Sequence, residues 1–289
     1  MQVGFVGVGA MGAAMAGHVA AKGFEVLAHD TDADALARAT ASGAVGPAGD
    51  IGEIARRAEA VIVVVASDAQ SRAVVAALLE AGLREGAAIA VAATNHPRTM
   101  IELAEQARAK GVGFVDAPVV YGLQGAKAGT LVSLCGGTEG DVEKLRPVLM
   151  SYSRSVEHIG AVGYGQLAKT CNNMMHWVAC VANYEVLALA RSCGIDAQAM
   201  REVLLKCPAR NTTLERWDTT RFTWHEKDMD VALDLSQEAG LALPLMGLVD
   251  QLVKRLGPDQ VKALLHGDAA EYLGQRIEGR PISEVTGFD

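Results

Sequence analysis

The stretch Val3-Gly4-Phe5-Val6-Gly7-Val8-Gly9-Ala10-Met11-Gly12 decides how the first half of this 289-residue chain folds. A short β-branched run leads into three glycines spaced Gly7-x-Gly9-x-x-Gly12, and a helical pattern through Met15 and Val19 follows. Each glycine answers a separate demand. Gly7 permits a tight turn, Gly9 lets the backbone approach a pyrophosphate, and Gly12 lets helix and strand pack closely. The helix N-terminus then presents unpaired N–H groups to phosphate oxygens. Gly7, Val8, Gly9, Ala10, Met11 and Gly12 are therefore assigned to a dinucleotide; a purely structural glycine turn is the alternative. Asp30 ends the second strand pattern, where a carboxylate accepts hydrogen bonds from ribose hydroxyls and repels a 2′-phosphate. Thr31, Asp32 and Asp34 follow it, with no Arg to neutralise such a phosphate, so the expected cofactor is NAD rather than NADP.

Outward from this stretch, residues 3–6, 25–28, 61–65, 88–92 and 114–116 read as strands, with Ala-rich helical patterns such as 100–109 between them. Strand–helix alternation of this length requires crossover connections, hence a parallel sheet covered on both faces. Past about Gly163 the β signal fades. Residues 166–192 are almost free of helix breakers and predict one helix, about 40 Å long at about 1.5 Å per residue. Helical patterns continue beyond it, punctuated by Cys207-Pro208, Leu243-Pro244 and Gly257-Pro258. The predicted domains are 1–162 and 163–289, with a long interdomain helix over about 165–192.

Composition narrows the partners. Half of the residues are hydrophobic but only 4% are aromatic, as suits close packing of helices on a sheet. Lys and Arg number 26 against 34 Asp and Glu, a net charge of −8 without any basic cluster, which argues against nucleic acid. No apolar run approaches the roughly 18 residues of a membrane helix. The N-terminus lacks a basic leader, so no signal peptide is expected. Five cysteines at irregular spacing, without a C-x-x-C, fit a reducing cytoplasm rather than a disulfide framework or a thiolate zinc site. No His/Asp/Glu group has metal-ligand spacing, so a metal-free protein is expected.

A second constellation opens the long helix: Gly163-x-Gly165-x-x-x-Lys169-x-x-Asn172-Asn173. On a 3.6-residue period Lys169, Asn173, His176 and Cys180 share one face. A lysine among apolar neighbours loses hydration, which lowers its pKa and lets it trade a proton near neutrality. Asn173, one turn away, is placed to hold a substrate oxygen. By spacing alone, an exposed lysine on an amphipathic helix is the competing reading, and a satisfied core histidine competes at His176.

Over nearly its full length the chain resembles the β-hydroxyacid dehydrogenases of the 3-hydroxyisobutyrate dehydrogenase type. The resemblance rests on residues 5–12, on Asp116-Ala117-Pro118-Val119 with Gly122, Gly125-Ala126 and Gly129-Thr130-Leu131, on residues 163–173, and on Lys227-Asp228, in that order. It implies that Lys169 is the general acid/base and that Asn173 binds the substrate carboxylate or hydroxyl. It implies that Thr94 lies beside the nicotinamide half of the cofactor and that Lys227, supported by Asp228, reaches cofactor or substrate across a cleft. Val65-Ala66 stands where relatives carry Leu-Pro against the cofactor.

The substrate loop departs further. Relatives continue Asp-Ala-Pro-Val with Ser-Gly-Gly, whereas this chain has Val120-Tyr121-Gly122. Val120 cannot donate a side-chain hydrogen bond, and Tyr121 adds an aromatic body with one polar tip. Val120, Tyr121, Gly122, Asn173 and His176 are the expected substrate contacts; Arg210-Asn211 is either a further anion contact or a helix cap. The expectation is an α/β protein, a Rossmann doubly wound parallel sheet followed by an all-helical C-terminal domain, with the site in the cleft between them. The resemblance further implies reversible oxidation of the alcohol of a small 3-hydroxy acid with NAD, the acid being 3-hydroxyisobutyrate-like or bearing a larger apolar or aromatic group, and assembly as a homodimer or homotetramer. Two rivals are an imine reductase, whose pattern replaces the lysine, and a non-catalytic NAD-binding module, which would have lost Lys169 or Asn173.

Overall fold

The computed structural model describes residues 1–287, and the chain packs as two compact units, Met1–Lys169 and the residues from Thr170 on. The first unit begins β1 (Gln2–Val6), α1 (Ala10–Ala21), β2 (Glu25–His29), α2 (Ala33–Thr40), β3 (Val45–Pro47), α3 (Ile51–Arg57) and β4 (Ala60–Val63). It continues α4 (Asp68–Glu80), β5 (Ala88–Val91), α5 (Pro97–Ala109), β6 (Gly113–Asp116), β7 (Val119–Val120) and α6 (Gly122–Ala128). It closes with β8 (Leu131–Gly136), α7 (Glu139–Tyr152), β9 (Ser153–Gly160) and the start of α8 (Tyr164–Ser192).

The strands lie in the order β3-β2-β1-β4-β5-β6-β8-β7, with β9 paired to β8. Pairing is parallel from β3 to β6; β8 then runs antiparallel to β6 and β7. Side chains alternate between two cores, as a period of two demands when both faces are covered. Val3, Phe5, Ile62 and Ala90 join Met15, Leu145 and Tyr152 on one face, while Val6, Val61, Val63 and Ile89 join Ile54, Leu78 and Leu103 on the other. The order reverses between β1 and β4, so their carboxyl ends form the crevice where such sheets take ligands.

The five strands read from sequence are all present. Val64, Val65 and Ala92, included in that reading, leave the sheet at its carboxyl edge. β3, β7, β8 and β9 are additional, each for a physical reason. β3 and β7 are three and two residues long. β9 is an edge strand in which the polar residues Arg154, Glu157 and His158 are exposed, which hides its alternation and blunts the edge. In the second unit α8 continues to Ser192, and α9 (Ala197–Leu204), α10 (Thr212–Glu215), α11 (His225–Glu238), α12 (Pro244–Val253) and α13 (Pro258–His266) follow. One small antiparallel hairpin, β10 (Ala270–Tyr272) and β11 (Gln275–Ile277), interrupts the expected helical run before α14 (Ile282–Thr286). No helix among the described residues is long and apolar enough to cross a membrane.

α8 is fixed to the sheet by one carboxylate. Asp116, fully buried at the end of β6, accepts the Gly163 N–H at 2.7 Å and the Gln166 N–H at 2.8 Å. Those donors belong to the start of α8, so the helix is capped from another element of the chain. Only glycine fits around the carboxylate: a Cβ on Gly136 would come to 2.4 Å from Asp116 Oδ1, and one on Gly165 to 2.4 Å from the Leu134 carbonyl. Burial pushes the Asp116 carboxyl up to about 6, against the pull of the N–H groups of Gly163, Gln166 and Gly165.

Asp116→Ala leaves two buried N–H groups without an acceptor and should lower the unfolding free energy by about 2–4 kcal/mol in a urea titration. The pH dependence has a definite sign. The folded carboxyl keeps its proton to about 6, whereas the unfolded one releases it near 3.8. The folded state thus binds more protons between those values, and its stability falls as pH rises through them. Wild type should lose stability relative to Asp116→Asn across that window and track it above; parallel curves throughout would contradict this assignment.

Candidate active site

The turn after β1 has the geometry its glycines predict. Gly7 adopts φ +91°, and a Cβ there would lie 2.2 Å from the Val64 carbonyl oxygen. A Cβ on Gly12 would lie 2.0 Å from the Gly7 carbonyl oxygen. Around Gly9 the situation is opposite: a Cβ would meet nothing within 4 Å, so this residue borders open space at the start of α1. A phosphate can approach the backbone there, and the residues present fit a dinucleotide.

Asp30 does more than sequence assigns to it. Its Oδ2 accepts the Val8 N–H at 2.7 Å and its Oδ1 the Asp32 N–H at 2.9 Å. The carboxylate ties the end of β2 to the glycine turn, and being half-buried it keeps lone pairs for ribose hydroxyls. Val65 is half-buried with Cγ1 3.3 Å from where a Gly7 Cβ would stand, and Ala66 is exposed with its N–H donated to Gln70 Oε1. Thr94 is half-buried just past β5. Its segment is tied to α8 by the buried Gln166, whose Oε1 accepts the Asn95 N–H at 3.0 Å and whose Nε2 donates to the Ala93 carbonyl at 2.8 Å.

Lys169 lies on α8 one turn beyond the Asp116 cap. It is half-buried, and its Nζ donates to the Val119 carbonyl at 2.9 Å. The structure thus brings the lysine to the loop bearing Val120, Tyr121 and Gly122. Val120 pairs with Val132 of β8. Tyr121 takes φ +83° and ψ 0°, the left-handed conformation, and Gly122 follows at φ +56°. For a residue with a Cβ that conformation costs about 1–2 kcal/mol. The polar tip of Tyr121 is engaged within the protein: Arg154 Nη2 donates to its Oη at 2.5 Å, and the guanidinium carbon lies 4.4 Å from the ring centroid.

In the second unit Asn173 is buried, and its Oδ1 accepts the Asn172 Nδ2–H at 3.1 Å. His176 has Nδ1 2.9 Å from Thr213 Oγ1, Nε2 3.8 Å from Cys180 Sγ, and its ring 4.6 Å from that of Trp177. Both ring nitrogens have partners within the unit, and the ring is half-buried. Lys227 and Asp228 lie half-buried in the first turn of α11, where Asp228 Oδ2 accepts the Trp177 Nε1–H at 3.1 Å. Asn211 caps α10 through the Leu214 N–H at 2.8 Å and exchanges amide hydrogen bonds with Asn183, so the cap is the role its geometry displays.

Sequence reasoning gave no role to Asp116, Gln166, Trp177 or Arg154. Asp116 and Gln166 lie inside quoted motifs, where a buried acid and amide flanked by glycines are a usable signal. Trp177 and Arg154 sit among ordinary helix and strand residues and gave none.

Comparison with known proteins follows the same division of the chain. A family model of the NAD-binding domain of 6-phosphogluconate dehydrogenase matches residues 2–160, and one described as NAD-binding of NADP-dependent 3-hydroxyisobutyrate dehydrogenase matches residues 163–272. The 2-(hydroxymethyl)glutarate dehydrogenase of Eubacterium barkeri is 26% identical over 87% of this chain and 88% of that protein. A 3-hydroxyisobutyrate dehydrogenase of Pseudomonas aeruginosa is 32% identical over 75% of this chain and 73% of that one. Among solved structures, Mycobacterium tuberculosis 3-hydroxyisobutyrate dehydrogenase with L-serine aligns with TM-score 0.81 at 26% identity, over 92% of this chain and 98% of that chain. Sequence motifs, strand order and these matches agree: the chain belongs to the β-hydroxyacid dehydrogenase family, nicotinamide-dinucleotide-dependent oxidoreductases of hydroxy acids.

Proposed function

We propose that this enzyme reversibly oxidises the alcohol of a small 3-hydroxy acid with NAD, using Lys169 as general acid/base. The observation that carries the reading is the position of Lys169, half-buried on a capped helix with Nζ 2.9 Å from the carbonyl of the substrate loop. When bound, a dinucleotide would supply the hydride acceptor, with residues 7–12 and Asp30 to hold it and Val65, Ala66 and Thr94 as further contacts in the first unit; Lys227 is the contact that the family resemblance implies in the second. Lys169, as the neutral amine, takes the hydroxyl proton of the substrate. As an ammonium it then stands beside the developing carbonyl oxygen and returns the proton in the reverse direction. Asn173, one turn along α8, holds a substrate oxygen, and partial burial keeps water from competing. In the imine reductase pattern the lysine is replaced, so Lys169 favours the alcohol chemistry.

Substrate choice falls to the loop. Val120 replaces the family's serine hydroxyl, and the Tyr121 hydroxyl is taken up by Arg154, so the side chains offer an apolar surface. A larger apolar or aromatic group on the 3-hydroxy acid suits that surface. His176 enters the proposal only as a second-rank contact, since Thr213 and Cys180 flank its ring. The proposed homodimer or homotetramer finds support in α8, which exposes Leu167, Met175, Val186 and Leu189. The five unpaired cysteines suit a reducing cytoplasm.

Lys169→Ala should lower kcat by about 10²–10⁴-fold while the dissociation constant for NAD stays unchanged. Retention of more than about a tenth of wild-type kcat would remove the lysine from its role. For the cofactor, kcat/KM with NAD should exceed that with NADP, and Asp30→Asn with Thr31→Arg should move the ratio toward NADP. Because Asp30 also holds the Val8 N–H, that variant should bind both cofactors more weakly. Equal kcat/KM in the wild type overturns the NAD assignment. Across a substrate series, 3-hydroxy acids with larger apolar groups should outperform 3-hydroxypropionate and serine. Val120→Ser should favour the short substrates by about threefold to tenfold, the worth of one hydrogen bond; an unchanged ranking means the loop was only repacked.

A further inference from the structure

Tyr121 and Leu273 are the two residues other than glycine with positive φ among those described. A tyrosine in the left-handed region persists only where its surroundings over-determine it, and three features do so. Gly125 leaves the space: a Cβ there would lie 2.6 Å from the Tyr121 Cβ and 3.1 Å from Leu131 Cδ2. The Gly125 N–H closes back on the Tyr121 carbonyl at 3.2 Å. Arg154 then holds the far end, by a hydrogen bond to the hydroxyl and by its charge over the ring face.

Arg154 is itself an irregularity of the sheet. β8 and β9 pair Leu131 with Ser153 but Val132 with Ser155, so Arg154 is the extra residue of a bulge. Bulges re-aim a side chain, and this one turns Arg154 onto Tyr121. The register is pinned beside it by the buried Ser133 and Ser153 hydroxyls, 2.8 Å apart. On the other side of Tyr121, β7 is held by Lys169 at the Val119 carbonyl.

We infer that Arg154 is a positioning residue: through Tyr121 it clamps the backbone of residues 119–122 in the conformation that receives the hydroxy acid. The clamp does by fixed contact what glycine does by conformational freedom, and Arg154 makes that contact on Tyr121 itself. This inference rests on the proposed reading of the loop as the substrate site.

The test compares wild type with Arg154→Ala, Tyr121→Phe, Tyr121→Gly and the double variant Tyr121→Gly/Arg154→Ala. Arg154→Ala should raise KM for the hydroxy acid by about fivefold to tenfold, with kcat within about twofold and NAD affinity unchanged. Tyr121→Phe, which keeps the ring under the guanidinium, should show a smaller rise. In the Tyr121→Gly background the Arg154 substitution should add nothing, since its partner is gone. An unchanged KM in Arg154→Ala, or an equal loss of NAD affinity, overturns the inference. Hydrogen exchange at the amides of residues 119–123 keeps the test independent of turnover. Arg154→Ala should speed exchange there and leave the 7–12 turn unaltered. If the wild type oxidises no 3-hydroxy acid, the functional reading fails while exchange still decides the clamp; unaltered exchange in Arg154→Ala refutes it.

Discussion

The carboxylate of Asp116 is the constraint on which the rest of the first unit's chemistry depends. It sits at the carboxyl end of β6 and gathers the first N–H groups of α8, from Gly163 and Gln166. A helix that starts there has its rotation about its own axis set, and Lys169 follows at a fixed angle one turn on. Val119, three residues past Asp116, supplies the carbonyl on which the lysine rests. Cap and lysine therefore close a small ring of chain between β6, β7 and α8, and a displacement at either contact is felt at the other. Ionised, the carboxylate suits the positive end of a helix dipole; burial opposes that ionisation and leaves the group near 6.

Asp30 repeats the device at the cofactor turn. One oxygen holds the Val8 N–H and the other the Asp32 N–H, so an acid expected to read a ribose also braces the glycine turn after β1. The role in cofactor choice proposed for Asp30 would thus share one side chain with the geometry of the turn. Gln166 provides a third tie, joining the Thr94 segment to α8 through a buried amide. In each case a strand end at the carboxyl edge of the sheet is bound to a neighbouring backbone by a single polar side chain.

Much of this was legible in the sequence. Residues 7–12 announce the turn because glycine requirements are local and steric, and the clashes at Gly7 and Gly12 are those requirements made explicit. The five buried parallel strands are apolar runs, and α8 lacks breakers, so both are visible to periodicity. β7 and β8 escape because they are short or interrupted by Ser and Gly and, being antiparallel additions, carry no crossover signature, whereas β9, which runs parallel to β8 after the crossover helix α7, escapes because its exposed polar residues hide the alternation. The caps and clamps escape for a different reason. Asp116 to Gln166 and Tyr121 to Arg154 are contacts between residues distant in sequence, and nothing in local spacing encodes them. The substitution at Tyr121 was visible as a departure, yet the partner that determines its effect was not.

We propose Lys169 as the proton-transferring amine, and chemical rescue would reveal that role. Small primary amines added to Lys169→Ala, with NAD and a 3-hydroxy acid at saturation, should restore turnover in proportion to the free-base concentration. More basic amines should be the more effective per molecule of free base, as a Brønsted relation requires. A rate that ignores amine concentration and basicity, in a variant that still binds NAD and hydroxy acid, would contradict the account.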